Sequence, residues 1–406
     1  MHCQDLGFGS FRRFKGHHVN ACNKADKMLV GMASAPDHWH SMPMRSKTPN
    51  RLQEAAEIAS RFNTGTDPDV VVPLGEGLIN HTFLITTAGH RWVLQRVNTD
   101  VFPHPERILE NLDRLSVHLA GKPKIGLRIP ALLKSLDGQR WINGKDGGLW
   151  RLMEFIDGGR VLGSIDENQA SEVGRTLGGF HRAVADLSPG ALAFTLPGFH
   201  VTPRYVARLM QLIGECGANQ VAELGESVAF VASRKLAADV LEQAHRAGYI
   251  PQRVIHGDPK LDNILFDPSG RQALALIDLD TVQPGLVHYD IGDCLRSCCN
   301  RDGESAAGCI GPTFDLSLCQ NLLSAYAEHT RGLLNPKEIA LIFDAIRLIS
   351  FELGVRFLTD HLEGNRWFRV SKSGENLTKA RIQFALTEDV ERKESAIRAI
   401  IGACNW

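Results

Sequence analysis

The apolar residues of this chain change their period once, at Asp157-Gly158-Gly159-Arg160, and that change limits what can be built on either side. Before it, short runs such as "DVVVPL", "NHTFLITT", "RWVLQRV", "IPALLKS", "RWING" and "LWRLMEFI" read as strands, the second and third closing a hairpin over Ala88-Gly89-His90. "RLQEAAEIASRF" (51–62) and "PERILENLDRLSVHLA" (105–120) read as helices, the latter with proline in its first turn. Beyond the glycines, "NQASEVGRTLGGFHRAVADL" (168–187), "SVAFVASRKLAADVLEQAHRAG" (227–248) and most of 313–400 keep a helical period. The fold class that follows is α+β in two lobes: an antiparallel-sheet N-lobe at 49–157 and a mostly helical C-lobe at 158–406. Residues 1–48 have no period and read as a disordered extension or an overlong start. Gly174, Gly178 and Gly179 point to close helix packing, and His181 beside them reads as a packed histidine rather than a catalyst.

A length of 406 residues with 43% hydrophobic content gives both parts a core, and a net charge of −1 supplies no field to recruit nucleic acid or an anionic membrane. No run approaches the roughly 18 apolar residues of a membrane span. "KADKMLVGMASA" (24–35) has a signal-like end, but its apolar part is short and starts far into the chain, so the expectation is a cytoplasmic protein. The nine cysteines form no C-x-x-C pair, and Cys294, Cys298 and Cys299 read as reduced packing thiols. His17, His18, His38 and His40 lie in the aperiodic segment and read as solvated tail.

Inside the helical half lie two β-flavoured insertions, "RVIHGDPKLDNILFD" and "ALALIDLDTV" (273–282). The first sets Asp258, Lys260 and Asn263 at offsets of zero, two and five, and the second adds Asp278 and Asp280. Phosphoryl transfer needs this set in this order: a carboxylate to orient the attacking hydroxyl, a cation for the transferred phosphate, and oxygen ligands for Mg²⁺. Upstream, "LGEGLINHTFLI" (74–85) offers Gly75 and Gly77 in a turn where backbone amides can approach phosphates.

"HGDPKLDN" and "IDLD" resemble the catalytic loop and metal motif of the aminoglycoside phosphotransferase and choline kinase superfamily, whose fold is similar to that of protein kinases. "GLINHTFLI", "RWVLQRVNTDVFPHPERILENL" and "GVRFLTDHLEGNRWF" (354–368) most resemble the N-acetylhexosamine 1-kinases. The resemblance covers about 350 residues and implies ATP and Mg²⁺ as cofactors, with a small-molecule sugar as acceptor. It also implies Asp258 as the residue orienting the sugar hydroxyl, His256 bracing the loop, Lys260 facing the γ-phosphate, Asn263 and Asp278 binding Mg²⁺, and Asp290 of "YDIGD" as structural. Asp280, one strand period after Asp278, is expected on the same face with a supporting or metal role.

Most members of the superfamily that the chain resembles carry a lysine on the third strand that grips the nucleotide phosphates and pairs with a helix glutamate. This chain has "VLQR". Gln95 and Arg96 fall on opposite faces of a strand, so one points into the cleft; Arg96 is favoured, with Glu110 or Glu106 as its partner. Met153, Glu154 and Phe155 are expected at the adenine. For the sugar, Arg356 and Trp367 supply a forked donor and an aromatic face, and His81 is placed to reach the cleft. The competing readings are a kinase of an aminoglycoside, choline, homoserine or methylthioribose, and a nucleotide-binding pseudokinase. No "APE" pattern follows "DLD", which argues against a protein kinase.

Overall fold

The computed structural model describes residues 48–74, 80–122, 127–301, 303, 313–368 and 370–406. Gly75 and Gly77 and the extension expected at 1–48, except Thr48, lie outside the described residues. Helix α1 (Thr48–Ala59) precedes β1 (Val70–Pro73), β2 (His81–Thr87) and β3 (His90–Arg96), after which come α2 (Pro105–Ala120), β4 (Leu132–Leu133), β5 (Ile142–Asn143) and β6 (Leu149–Glu154). The strands form one antiparallel sheet in the order β1-β2-β3-β6-β4, with β5 on the near end of β6. Strand alternation gives it two faces. Phe83, Ile85, Leu94, Trp150 and Leu152 pack on Ala55 and Ile58 of α1 and on Phe62 just after it, whereas Gln95, Arg151 and Met153 line a cleft on the other side.

The second part opens with α3 (Glu167–Ala183), started by a capping box in which Asp166 and Gln169 each accept the other's backbone N–H at 2.9 Å. It continues through α4 (Thr202–Glu215), α5 (Ala218–Glu223), α6 (Gly225–Arg234), α7 (Val240–Arg246), α8 (Val287–Cys298) and α9 (Leu316–Thr330). Helices α10 (Pro336–Ala340), α11 (Ile342–Leu362), α12 (Glu375–Arg392) and α13 (Glu394–Ala403) complete it. The single helix expected over 227–248 is broken by a 3-10 stretch at Lys235–Asp239: Leu236 faces solvent there, so the apolar stripe loses its register. Helix α3 lies close against α9, where a Cβ on Gly174 would stand 2.1 Å from Leu322 O and one on Gly178 2.9 Å from His329 Cβ. Gly179 faces open space and takes no part in that packing.

The two β-flavoured insertions form two small two-stranded sheets under the cleft. Strand β7 (Arg253–Ile255) pairs with β10 (Gln283–Gly285), and β8 (Ile264–Phe266) pairs with β9 (Ala273–Leu276). The strand expected over 273–282 stops at Leu276, and a 3-10 turn follows at Leu279–Thr281. Asp278 starts that turn at φ +58°, in the left-handed region. Asp278 and Asp280 therefore do not share a strand face, which corrects the period-two expectation for Asp280.

Candidate active site

The loop after β7 is built around a buried carboxylate. Asp290, fully buried on α8, accepts the backbone N–H of His256 at 2.7 Å and of Gly257 at 2.8 Å, and its Oδ2 lies 2.9 Å from His181 Nε2. His181 Nδ1 lies 2.8 Å from the Tyr326 hydroxyl, so this histidine is a structural link. His256 Nε2 meets Ile277 O at 3.1 Å and its Nδ1 accepts the Asp258 N–H at 3.3 Å, which fits the neutral Nε2–H tautomer; burial lowers its pKa. Gly257 sits at φ +90°, and a Cβ there would stand 2.6 Å from Thr281 O. Thr281 Oγ1 donates to His256 O at 2.9 Å, and Ile277 N donates to Asn263 O at 3.0 Å, so this loop and the turn carrying Asp278 are stitched together.

The carboxylate of Asp258 receives Lys260 Nζ at 2.8 Å and Asn263 Nδ2 at 2.9 Å, both on Oδ2, and neither contact uses Oδ1. Asn263 also donates to Asp258 O at 2.7 Å. Burial raises the Asp258 pKa to about 6 against the pull of Lys260. Burial, then the charges of Asp280 and Asp258, raise Asp278 to about 7. Asn263 Oδ1 is buried with no hydrogen-bond partner while its amide nitrogen is committed to Asp258. An orphaned oxygen acceptor and a buried carboxylate with a raised pKa, on segments joined by the bond from Ile277 N to Asn263 O, form a donor set that suits Mg²⁺, a hard cation that takes few protein oxygens and keeps water and phosphate for the rest.

Several expectations change at the sheet. Arg96 turns away from the cleft and pairs with Asp146 at 2.7 Å, because the register puts it on the α1 side; Gln95 is the residue that faces inward. Glu110 is exposed, since α2 buries Ile108, Leu109, Asn111 and Leu112; Glu106 lies 3.3 Å from His104. His81 also lies on the α1 side, bonded to Arg51, and burial with the nearby Arg51 and Arg96 charges lowers its pKa to about 4. It does not enter the cleft. Met153 lines the cleft, while the backbone donors of Glu154 and Phe155 go to Ala131 O at 2.9 Å and Arg91 O at 3.4 Å within the sheet. The side chain of Glu154 pairs with Arg128, and the Phe155 ring lies under Arg91.

Two residues that sequence reasoning missed stand at the cleft. Arg151, opposite Gln95 on β6, donates to Gln95 Oε1 from Nη2 at 2.6 Å and Nε at 3.1 Å. Its Nη2 also lies 2.5 Å from Asp280 Oδ1, a charge contact off the hydrogen-bonding direction. Asn80 donates to Asp280 Oδ2 at 2.9 Å and accepts the Asn98 N–H at 3.0 Å. An arginine at an inward position of the apolar run "LWRLME" is the one signal that would have found Arg151.

On the helical side, Arg356 projects from α11 among the rings of Phe199, Tyr205 and Phe368, at 5.3, 5.5 and 5.5 Å from their centroids. Its Nη1 is 3.9 Å from Glu352. Glu352 contacts His200, whose other ring nitrogen meets Gly257 O at 2.8 Å, so Arg356 is linked to the catalytic loop through two side chains. Trp367 donates from Nε1 to Glu363 at 3.0 Å, and its backbone N–H goes to Asp360 at 2.7 Å. Its neighbour Phe368 supplies the ring beside Arg356.

A family model described as "Phosphotransferase enzyme family" matches residues 70–322, which spans β1, the sheet, the catalytic loop and α8. This chain belongs to the phosphotransferase enzyme family. The family's two-lobed kinase-like fold is also that of solved structures at low identity. The microcompartment-associated aminopropanol kinase aligns with a TM-score of 0.57 at 18% identity, over 86% of this chain and 98% of its own. An aminoglycoside phosphotransferase from Alicyclobacillus acidocaldarius aligns at 0.57 and 13%, over 89% and 98%. Spectinomycin phosphotransferase, in complex with ADP and spectinomycin, aligns at 0.56 and 10%, over 87% and 100%. Among the described residues no helix is long and apolar enough to cross a membrane.

Proposed function

We propose that this phosphotransferase moves the γ-phosphoryl group of ATP to the anomeric hydroxyl of an N-acetylhexosamine such as GlcNAc or GalNAc. The observation that carries the transfer is the fixing of Asp258 by Lys260 and Asn263, which holds one carboxylate oxygen in place and leaves Oδ1 for the acceptor. Asp258 orients the hydroxyl and takes its proton as the acceptor oxygen bonds to the γ-phosphorus and the bond to the ADP oxygen breaks. Lys260 supplies positive charge beside the transferred group. Asn263 and Asp278 would hold Mg²⁺, which when bound neutralises phosphate charge. Catalysis then comes from positioning and charge, with no covalent enzyme intermediate.

The neutral character of the acceptor is supported by charge pairing around the loop. Asp280 faces Arg151, Asp293 pairs with Arg296 at 2.9 Å, and Glu352 is bound by His200 and Thr202, so these carboxylates are already compensated. A sugar would find a forked donor in Arg356 and ring surface in Phe199, Tyr205 and Phe368. The subfamily likeness of 354–368 supports the same choice. A second reading, an amino alcohol, rests on Asp293 Oδ2, which is buried without a hydrogen-bond partner, and on the aminopropanol kinase among the similar structures.

Coupled ADP release with ATP and Mg²⁺ against GlcNAc, GalNAc, glucose, galactose, aminopropanol, choline, homoserine, methylthioribose and kanamycin tests this, with phosphorus NMR of the product. Selective turnover of the N-acetylhexosamines to an anomeric phosphate is the expected result. Preference for an amine-bearing acceptor would move the substrate, and nucleotide binding without turnover on any acceptor would leave a pseudokinase.

A further inference from the structure

The missing strand lysine leaves a mechanical question as well as an electrostatic one, because a cation at that place ordinarily ties the sheet to the rest of the site. Here Gln95 occupies the inward position, and its carbonyl oxygen is gripped twice by Arg151 from the neighbouring strand. The same guanidinium reaches Asp280, two residues after Asp278, in the turn beneath the cleft. The other oxygen of Asp280 is held by Asn80, which also anchors the start of the segment after β3 through Asn98 N–H. All four side chains of this group, Asn80, Gln95, Arg151 and Asp280, are buried. The Arg151 side chain is 2% exposed and that of Asp280 4%. One carboxylate thus joins β6, the entrance to β2 and the metal-bearing turn.

We infer that Arg151 and Asp280 form a positioning clamp that replaces the strand lysine and helix glutamate, locking the cleft face of the sheet to the turn that presents Asp278. Asp280 is therefore a counter-charge and tether for Arg151, not a metal ligand. The reason is geometric: Oδ1 faces the guanidinium and Oδ2 accepts from Asn80, and turning either toward a cation would strip a buried arginine of its counter-ion. Arg151 acts on the reaction through Asp278, which starts the turn that holds Asp280. Gln95 fixes the guanidinium plane, a task a lysine at 151 would perform poorly, since it cannot donate twice in one plane.

The inference rests on the ATP-dependent kinase reading and is tested by Mn²⁺ binding, followed by electron paramagnetic resonance on full-length protein with a non-hydrolysable ATP analogue. Thermal melts confirm folding of each variant. Removal of an outer partner of a metal ligand weakens affinity by about 10–100-fold. Arg151→Met is expected in that range and Arg151→Lys between it and wild type. Asp280→Asn should match Arg151→Met, and the double variant should be no weaker than the worse single one. If Arg151→Met does not fold, Asp280→Asn and Arg151→Lys carry the same comparison. Unchanged Mn²⁺ affinity in the folded variants would overturn the clamp, as would loss of binding in Asp280→Asn with none in Arg151→Lys or Arg151→Met, which would make Asp280 a ligand. Absence of Mn²⁺ binding by the wild type with nucleotide present would overturn the kinase reading itself, and the clamp with it.

Discussion

His200 Nδ1 stands 3.0 Å from Glu352 Oε1 while its Nε2 stands 2.8 Å from Gly257 O, so both ring nitrogens face acceptors and both carry protons. The ring is buried at a backbone φ of +61°, a conformation that a non-glycine residue keeps only where its surroundings demand it. Burial lowers its pKa, but the Glu352 carboxylate outweighs that, with help from Asp293, and the net shift is upward. Arg356 is the other cation on Glu352.

The first prediction concerns pH. Because the folded pKa of His200 lies above the unfolded value of about 6.5, its contribution to stability is fully present below that pH and is lost as pH rises through the folded value. His200→Gln should cost about 3–5 kcal/mol at pH 6, as expected for breaking a buried ion pair, and less at pH 9. Urea unfolding at the two pH values measures it. Equal losses at both would show that His200 is neutral in the fold.

Arg356→Ala separates acceptor binding from nucleotide binding. Losing the forked donor should raise KM for the sugar by about tenfold or more, with KM for ATP unchanged. Initial rates with each substrate varied in turn decide the point, and an unmoved sugar KM would remove Arg356 from the acceptor site.

Gly257→Ala strains the catalytic loop twice, through φ at +90° and through the 2.6 Å approach to Thr281 O. The strain should cost about 1–3 kcal/mol of stability and misplace Asp258, so turnover should fall more than nucleotide affinity does. Chemical denaturation and calorimetric nucleotide titration check the two parts, and wild-type turnover would show that the loop relaxes freely.

The grouping of Asp258, Lys260 and Asn263 was legible because they lie within six residues, where local spacing alone brings them together. The two-part architecture was legible too, since periods of two and 3.6 differ over long stretches. Arg151 and Asn80 were not legible as partners of Asp280, because their meeting depends on cross-strand register and on how the sheet sits over the turn. The same register settled Gln95 against Arg96 and turned His81 toward α1, neither of which a single strand's alternation can choose. His200 gave no sequence signal: it is a lone histidine in a loop whose role comes from contacts 57 and 152 residues away.

Acceptor-dependent ADP release by wild type and Asp258→Asn, measured side by side with ATP affinity by calorimetry, tests the central claim most directly. Asparagine keeps the shape of the side chain but cannot take the hydroxyl proton, so the variant should bind ATP as the wild type does and lose about 10²–10⁴-fold in turnover. Turnover near that of the wild type would contradict the assignment of Asp258 and the phosphoryl-transfer site built around it.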